Sequence, residues 1–202
     1  MQQPTVTLCC ETEEKRSRFI AELIATNSTD DVKRRIEQLK EEHPKASHVC
    51  SGFRIAGKNR QVDEGFSDDG EPSGTAGMPI LKVIRHHKLV NCAVLITRYF
   101  GGTKLGTGGL QRAYGQSCSA VIQQLSEQQL EPVIETSPLI IEADFPHENT
   151  IRHFCEMHRL SVNSMEYNSR GFILMAEVND NEKDAIIEQL RERNFSAREY
   201  QP

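Results

Sequence analysis

Residues that can bind an anion concentrate in two segments of this 202-residue chain, FSDDGEPSGTAGMPIL at 66–81 and TRYFGGTKLGTGGLQRAYG at 97–115. Ten of the thirteen glycines lie between Gly65 and Gly115. The second segment follows an apolar run at 92–96 and precedes a helical pattern at 110–125, so it predicts a strand, a glycine-rich turn and a helix. Such a turn presents free backbone N–H groups to an anion. Phosphate binding is therefore the first chemistry to consider.

The candidate phosphate-binding residues combine the backbone of the glycine turn with the polar, basic and aromatic side chains around it. They are Arg98, Tyr99, Lys104, Gly106, Thr107, Gly108, Gly109 and Arg112. The turn is not a Walker A loop, because Thr107 and Gly108 follow Gly106 where Lys and Ser or Thr are required. The alternative is a tight strand-to-helix connection that binds nothing.

Three aromatic residues flank the same loop, and rings beside cations are typical of sites for single-stranded nucleic acid. They are Tyr99, Phe100 and Tyr114. We expect Phe100 to fill the core beneath the loop. The exposure of Tyr114 is open, because it shares a predicted helix face with Leu110 and Ser117.

The first segment suggests a second hypothesis, a pocket for a small ligand or substrate. Its polar side chains are Ser67, Asp68, Asp69, Glu71, Ser73 and Thr75. Carboxylates this close together are hard oxygen ligands, but their spacing is not that of an EF-hand and no second cluster completes a site. A turn stabilised by aspartate, or ion pairs with Arg98 or Arg112, are the alternatives. We predict no metal, no cofactor and no catalytic residue. We favour a non-enzymatic protein over an enzyme or nucleotide binder with a pocket between the 66–77 and 98–112 loops, and a pure protein-interaction module is the third hypothesis.

Charge is distributed unevenly along the chain. Residues 1–137 carry 17 basic and 17 acidic side chains, whereas residues 138–202 carry 7 and 12, which accounts for the net charge of −5. The stretch 72–126 has no acidic residue, and its cations are Lys82, Arg85, Lys88, Arg98, Lys104 and Arg112. We expect a basic surface there. The acidic C-terminal part is a poor RNA binder, and we expect it to contact a protein partner or act as a regulatory lid.

Cellular location is predicted from what the sequence lacks. No segment approaches the roughly 20 apolar residues of a membrane span, and the first residues do not have the pattern of a signal peptide. The six cysteines have no CxxC pair or framework spacing, which favours free thiols. These features predict a cytoplasmic protein that does not contact a membrane.

Periodicity predicts two α+β domains, 1–131 and 132–202. In the first, strands at 5–10 and 18–25 pair, a helix runs from Ser28 to His43, a strand covers 47–56 and a long loop covers 57–77. A short helix from Met78, a buried strand at 89–99 and the helix at 110–125 follow. The second domain has the order βαββαβ of a ferredoxin-like fold. Its predicted strands and helices lie at 139–144, 146–159, 161–167, 171–178, 180–194 and 195–200.

With these two segments the sequence resembles the YigZ/IMPACT family. The resemblance is carried by GFSDDGEPSGTAG, by the PIL that begins at Pro79 and by TRYFGGTKLGTGGLQRAYG. It implies an N-terminal α/β sandwich similar to domain IV of elongation factor G, and a C-terminal domain similar to that factor's ferredoxin-like domain. Through this likeness to an elongation factor it also implies association with RNA or the ribosome, in translation or its regulation. Eukaryotic IMPACT relatives act in translational control, but through an additional domain absent here.

Overall fold

The structure, a computed structural model, describes residues 1–57, 61–133 and 136–199. The described residues form two compact units, one at 1–57 and 61–133 and the other at 136–199. The first unit contains β1 (Gln2–Pro4), β2 (Leu8–Glu14), β3 (Ser17–Ala25), α1 (Thr29–Glu42), β4 (His48–Ala56), β5 (Val62–Ser67), α2 (Gly77–His86), β6 (Cys92–Tyr99), α3 (Gly106–Ile122) and β7 (Leu130–Pro132). The second contains β8 (Thr136–Asp144), α4 (Glu148–Met157), β9 (Ser161–Tyr167), β10 (Gly171–Asn179), α5 (Lys183–Glu192) and β11 (Ser196–Glu199).

The first unit is built on an antiparallel sheet of five strands in the order β2-β3-β6-β4-β5. Strand β6 lies at the centre of the sheet and is buried from Cys92 to Arg98. Its residues 92–96 are therefore all apolar rather than alternately apolar and polar. Its alternate residues enter different cores, because side chains alternate across a strand. Val94 and Ile96 pack with α2 and α3, whereas Ala93 and Leu95 pack on the other side with α1.

Helix α1 begins where the sequence predicts. The Ser28 hydroxyl accepts a hydrogen bond from the backbone N–H of Asp30 at 3.2 Å, and two acidic residues stand in the first turn. Such a cap satisfies one of the donors that a helix start leaves free. Val32 and Leu39 are its buried residues, which fixes α1 against the sheet.

Several predicted boundaries in the first unit are wrong. Strand β2 covers Leu8–Glu14 rather than 5–10, and β6 starts at Cys92 rather than at residue 89. The loop predicted at 57–77 contains β5, which pairs along β4 with Ser67 opposite Ser51. Cross-strand pairing decides this segment, and the sequence of one strand does not reveal its partner. Helix α3 starts at Gly106 rather than Leu110, because its glycines weaken the helical signal without preventing the turn.

The second unit is a four-stranded antiparallel sheet in the order β11-β8-β10-β9. Inward residues of β10, such as Leu174 and Val178, share one core with Ile151 of α4 and Leu190 of α5. The element order βαββαβ is that of a ferredoxin-like fold. Together the two units confirm the predicted α+β fold class.

The described residues include no helix that is both long enough and apolar enough to cross a membrane. All six cysteines lie within them as free thiols: Cys9, Cys10, Cys50, Cys92, Cys118 and Cys155.

Candidate nucleic-acid interface

Asp68 organises the loop between β5 and α2. One carboxylate oxygen, Oδ1, accepts the backbone N–H groups of Ala76 at 3.0 Å and Gly77 at 2.8 Å, and the other, Oδ2, accepts that of Gly74 at 2.7 Å. Ala76, the N-cap residue of α2, has no side-chain cap of its own. Asp68 therefore supplies the cap from a distance, and this role uses both of its oxygens.

The other polar side chains of the predicted pocket also serve the loop. Asp69 accepts the backbone N–H of Val49 at 2.7 Å and the ammonium of Lys40 at 2.6 Å, which ties the loop to β4 and α1. The remaining members are hydroxyl residues. Ser67 accepts the N–H of Asp69, Thr75 donates to the Pro72 carbonyl, and Ser73 is exposed.

Glu71 and Arg98 form a buried ion pair. They are 8% and 6% exposed, and Nη1 of Arg98 lies 2.5 Å from Oε1 of Glu71. The Tyr114 hydroxyl donates to the same Oε1 at 2.8 Å, and Nη2 of Arg98 donates to the Ser17 hydroxyl at 3.4 Å. The guanidinium therefore links β6, β3, α3 and the loop after β5, and it does not lie on the surface.

This cluster answers two questions left open by the sequence. The predicted contact of Arg98 with phosphate does not fit its position, because its charge is neutralised inside the domain. Tyr114 is fully buried, and burial raises the pKa of its hydroxyl far above the usual range. Burial also raises the pKa of the neighbouring Cys50 thiol to about 12, which makes that cysteine a poor nucleophile.

The predicted pocket has few polar groups left that could bind a ligand. All three carboxylates of the 68–71 segment hold backbone or side-chain donors of the chain itself. Within residues 1–57, 61–133 and 136–199, no group of three or more His, Cys, Asp or Glu side chains is arranged to hold a metal ion. The acidic residues Asp68, Asp69 and Glu71, which we call the acidic motif, thus stabilise the fold.

Phe100, expected in the core, is 50% exposed. It follows the last residue of β6, and the loop that starts there is fixed to the neighbouring strands. The N–H of Phe100 donates to the Ser47 hydroxyl at 3.3 Å, and that of Gly101 donates to the Ser17 hydroxyl at 3.1 Å. A Cβ at Gly101 would overlap the backbone of Arg16, so only glycine permits this close approach.

Tyr99 lies on the opposite side of the sheet from Phe100. Its hydroxyl is 2.9 Å from Nδ1 of His43 at the end of α1, and the Arg18 guanidinium lies over its ring. Tyr99 ends β6 and faces away from Arg98, because consecutive residues of a strand face opposite ways. Phe100 lies beyond the strand, with its ring near the Arg98 guanidinium. Tyr99 is therefore half-buried on the α1 side, apart from the start of α3.

The first turn of α3 is uncapped and exposed. Gly106 has a φ of +71°, a left-handed conformation suited to glycine. The preceding Leu105 gives no side-chain cap, and the first turn holds no acidic residue. Thr107 and Gly108 are exposed, so unpaired N–H groups face outward here. Nη1 of Arg112 lies 3.6 Å from the position that a Cβ on Gly108 would occupy, which places a second positive charge at the positive end of the helix.

Two basic residues that the sequence analysis missed adjoin this loop. Lys15 and Arg16 form the turn between β2 and β3, with φ values of 48° and 67°, and Gly101 packs against the backbone of Arg16 and Ser17. We define the basic rim as five exposed cations on the segments next to this loop and at the start of α3. None of the five has an ion pair among the described residues. They are Lys15, Arg16, Lys45, Lys104 and Arg112. The signal in the sequence was a two-residue polar turn between alternating strands.

A shallow groove of about 440 Å³ continues from the rim between α2 and α3. Val83 lines it from α2, and polar side chains of α3 and its C-cap line the other wall. These are Gln111, Arg112, Gln116, Ser119 and Gln123, with Gly115 and Ala120 between them. The wall is polar and has one cation and no acid.

Comparisons with known proteins agree with the motifs. Residues 15–122 match the family model of the Impact N-terminal domain. The chain is 32% identical over 192 residues to an IMPACT family member of Haemophilus influenzae, covering 95% of this chain and 91% of that protein. It is 37% identical over 132 residues to the IMPACT family member YigZ of Escherichia coli, covering 65% of each.

A solved structure described only as that of a hypothetical protein has the same fold. It superposes with a TM-score of 0.79 at 24% identity and covers 99% of this chain and 97% of its own. Identity this low supports the fold alone. The family model spans more than half of the chain, and the Haemophilus relative spans nearly all of it, so this chain belongs to the IMPACT family.

Proposed function

We propose that this protein is an RNA- or ribosome-associated factor that acts in translation or its regulation, and that its N-terminal unit contacts phosphates. The observation that carries the proposal is the position of Arg112 over the uncapped first turn of α3. A helix start carries about half a positive charge. A cation added there is unfavourable until an anion arrives, and no acidic residue of that turn supplies one.

The phosphate contacts follow from this arrangement. The amides of Gly106, Thr107 and Gly108 donate to phosphate oxygens, and Lys104 and Arg112 add charge. Gly109, also a candidate, is the fourth residue of α3, so its N–H already donates within the helix. Arg98 becomes a positioning residue, since it holds the loop through Glu71 and Ser17. Tyr99 lies on the other side of the sheet, so it is not among the residues that we propose to contact phosphate.

The groove between α2 and α3 extends this surface. Glutamine amides donate and accept hydrogen bonds, and they suit ribose hydroxyls and the edges of unpaired bases. The lining of the groove therefore supports RNA rather than a small anion alone. Membership of the IMPACT family supports the translational context.

The C-terminal unit has the wrong charge for this role. Its last helix, α5, exposes Asp184, Glu188 and Glu192, and the sheet face opposite its helices carries Glu142 and Glu177. These charges repel phosphate. A second candidate role for this unit is contact with a protein partner, favoured by four exposed apolar side chains: Phe145, Met157, Val162 and Tyr167.

Co-sedimentation with ribosomes and with naked RNA across a salt series tests the proposal. The variant Lys104→Gln/Arg112→Gln should pellet less at every salt concentration, with a log–log slope smaller by about 0.7 per lost phosphate contact on single strands. The matched control is Lys33→Gln/Arg34→Gln on α1, where two exposed cations pair with Asp30 and Asp31. Equal losses in both variants, or no pelleting of the wild-type protein at low salt, would contradict the proposal.

A further inference from the structure

Phe100 is exposed although the strand before it is buried, and it is held rigidly. The ring follows the buried residues 92–98 and the half-buried Tyr99 and stays half in solvent. Its own N–H and that of Gly101 bond to serine hydroxyls of two other segments, before β4 and at the start of β3. The loop therefore presents the ring in one place, which lowers the entropy cost of binding to it.

The buried Arg98 supports this ring from beneath. Its guanidinium carbon lies 5.8 Å from the Phe100 centroid and 5.5 Å from the centroid of Phe19 in the core. Glu71 fixes the guanidinium in turn. The buried ion pair thus gives the exposed ring a firm base, which side-chain packing alone seldom provides at a loop.

Exposed cations stand on the segments that hold the Phe100 loop. Lys15 and Arg16 form the turn against which Gly101 packs, and Lys104 follows in the same loop. Lys45 stands two residues before Ser47, the acceptor for the Phe100 N–H. Exposed acids next to the rim along the chain include Glu13 and Glu14 at the end of β2 and Glu41 at the end of α1, fewer than the cations of the rim. The balance around Phe100 is therefore positive and favours a polyanion.

We propose that Phe100 is a stacking platform for one unpaired base of single-stranded RNA, whose flanking phosphates contact the basic rim. This inference rests on the proposed function and specifies its ligand. An exposed ring amid cations is the arrangement by which proteins bind single strands, with bases on rings and phosphates on cations. Bases inside a duplex are stacked on one another, so they do not reach the ring.

Fluorescence anisotropy with a labelled oligouridylate, and with an RNA duplex of equal phosphate number, tests the inference. Phe100→Ala should weaken binding to the single strand by about 5- to 150-fold, the range found when a stacking aromatic is removed. Its salt slope should not change, because no phosphate contact is lost. Phe100→Trp should bind at least as well as the wild type, whereas Phe100→Leu, apolar but without a π-face, should resemble alanine.

Phe66 on β5 provides the matched control. It is 45% exposed and belongs to the same unit, but it lies on a different strand. Phe66→Ala should leave the affinity unchanged, and the melting temperatures of all variants should match within the error of the measurement.

The possible outcomes separate the two proposals. If the wild-type protein binds neither RNA at low salt, the proposed function fails and this inference with it. If the wild-type protein binds RNA but Phe100→Ala binds as tightly, or Phe100→Leu matches phenylalanine, the stacking platform is refuted while RNA association stands. Equal affinity for the duplex, with equal loss in the variant, would also refute an unpaired base.

Discussion

Replacement of Arg98 by methionine tests the buried ion pair. Methionine keeps much of the side-chain length but removes the charge and the donors to Glu71 and Ser17. Glu71 would stay 8% exposed, with Nε2 of His48 at 3.9 Å as the nearest ion-pair partner among the described residues. Removal of one partner of a buried pair costs about 3–5 kcal/mol. A domain has a total stability of about 5–15 kcal/mol, so the variant should be severely destabilised.

The measurement must report on the first unit alone, because a chain with two compact units need not unfold in one step. Hydrogen exchange read by mass spectrometry on peptides from β6 meets this need, since the exchange of buried amides reports the unfolding free energy of their unit. Arg112→Met is the matched control. Arg112 is exposed and has no ion pair among the described residues, so its replacement should change stability by less than about 0.5 kcal/mol.

A compensating change sharpens the test. The double variant Glu71→Leu/Arg98→Met should recover most of the lost stability, because apolar replacement of both partners is often neutral. If Arg98→Met were as stable as Arg112→Met, the pair would not be the buried and mutually dependent contact that the structure describes. Arg98 would then be free to contact RNA, as the sequence analysis expected.

Three further substitutions and one chemical modification probe the scaffold. Gly115→Ala should stabilise α3 by about 0.5–1 kcal/mol because its Cβ meets open space. Gly101→Ala should prevent folding or lower the melting temperature sharply, because its Cβ would overlap the backbone of Arg16. Thermal melts compare the two variants. Asp68→Ala should cost about 1–2 kcal/mol through the lost cap of α2, visible as faster amide exchange in its first turn. At pH 8, iodoacetamide should modify exposed Cys9 in the native protein and reach Cys50 only on unfolding, because burial raises the pKa of Cys50 to about 12. Peptide mapping that found Cys50 modified in native protein would contradict its burial.

Secondary structure was predictable wherever it depends on local signals. The cap at Ser28 and the proline next to Met78 mark the starts of α1 and α2, and the polar turn after Tyr167 marks the hairpin of β9 and β10. Strand β5 was not predictable, because its stability comes from pairing with β4. The start of α3 was missed since glycines reduce helix propensity even in a turn that tertiary contacts hold.

Only part of the candidate site could be predicted from the sequence. The sequence identified the glycine turn, Lys104 and Arg112, but it did not show which aromatic and basic residues face solvent. Alternation along β6 already separates Tyr99 from Arg98, although it does not say which one is covered. An ion pair between the acidic segment and Arg98 was one alternative, but the sequence did not decide for it, because Glu71 lies 27 residues away along the chain.

The acidic motif and the glycine motif perform different tasks in the same region. Asp68 caps α2, Asp69 joins α1 to β4, and Glu71 neutralises Arg98 beneath the loop. Each carboxylate already accepts donors of the chain itself, so none is left to pair with the cations of the basic rim. We expect the rim to stay positive for this reason. Variants of the acidic motif should act on stability, and variants of the rim on binding and its salt dependence. If Asp68→Ala changed the salt slope of RNA binding without changing stability, this division of roles would be wrong.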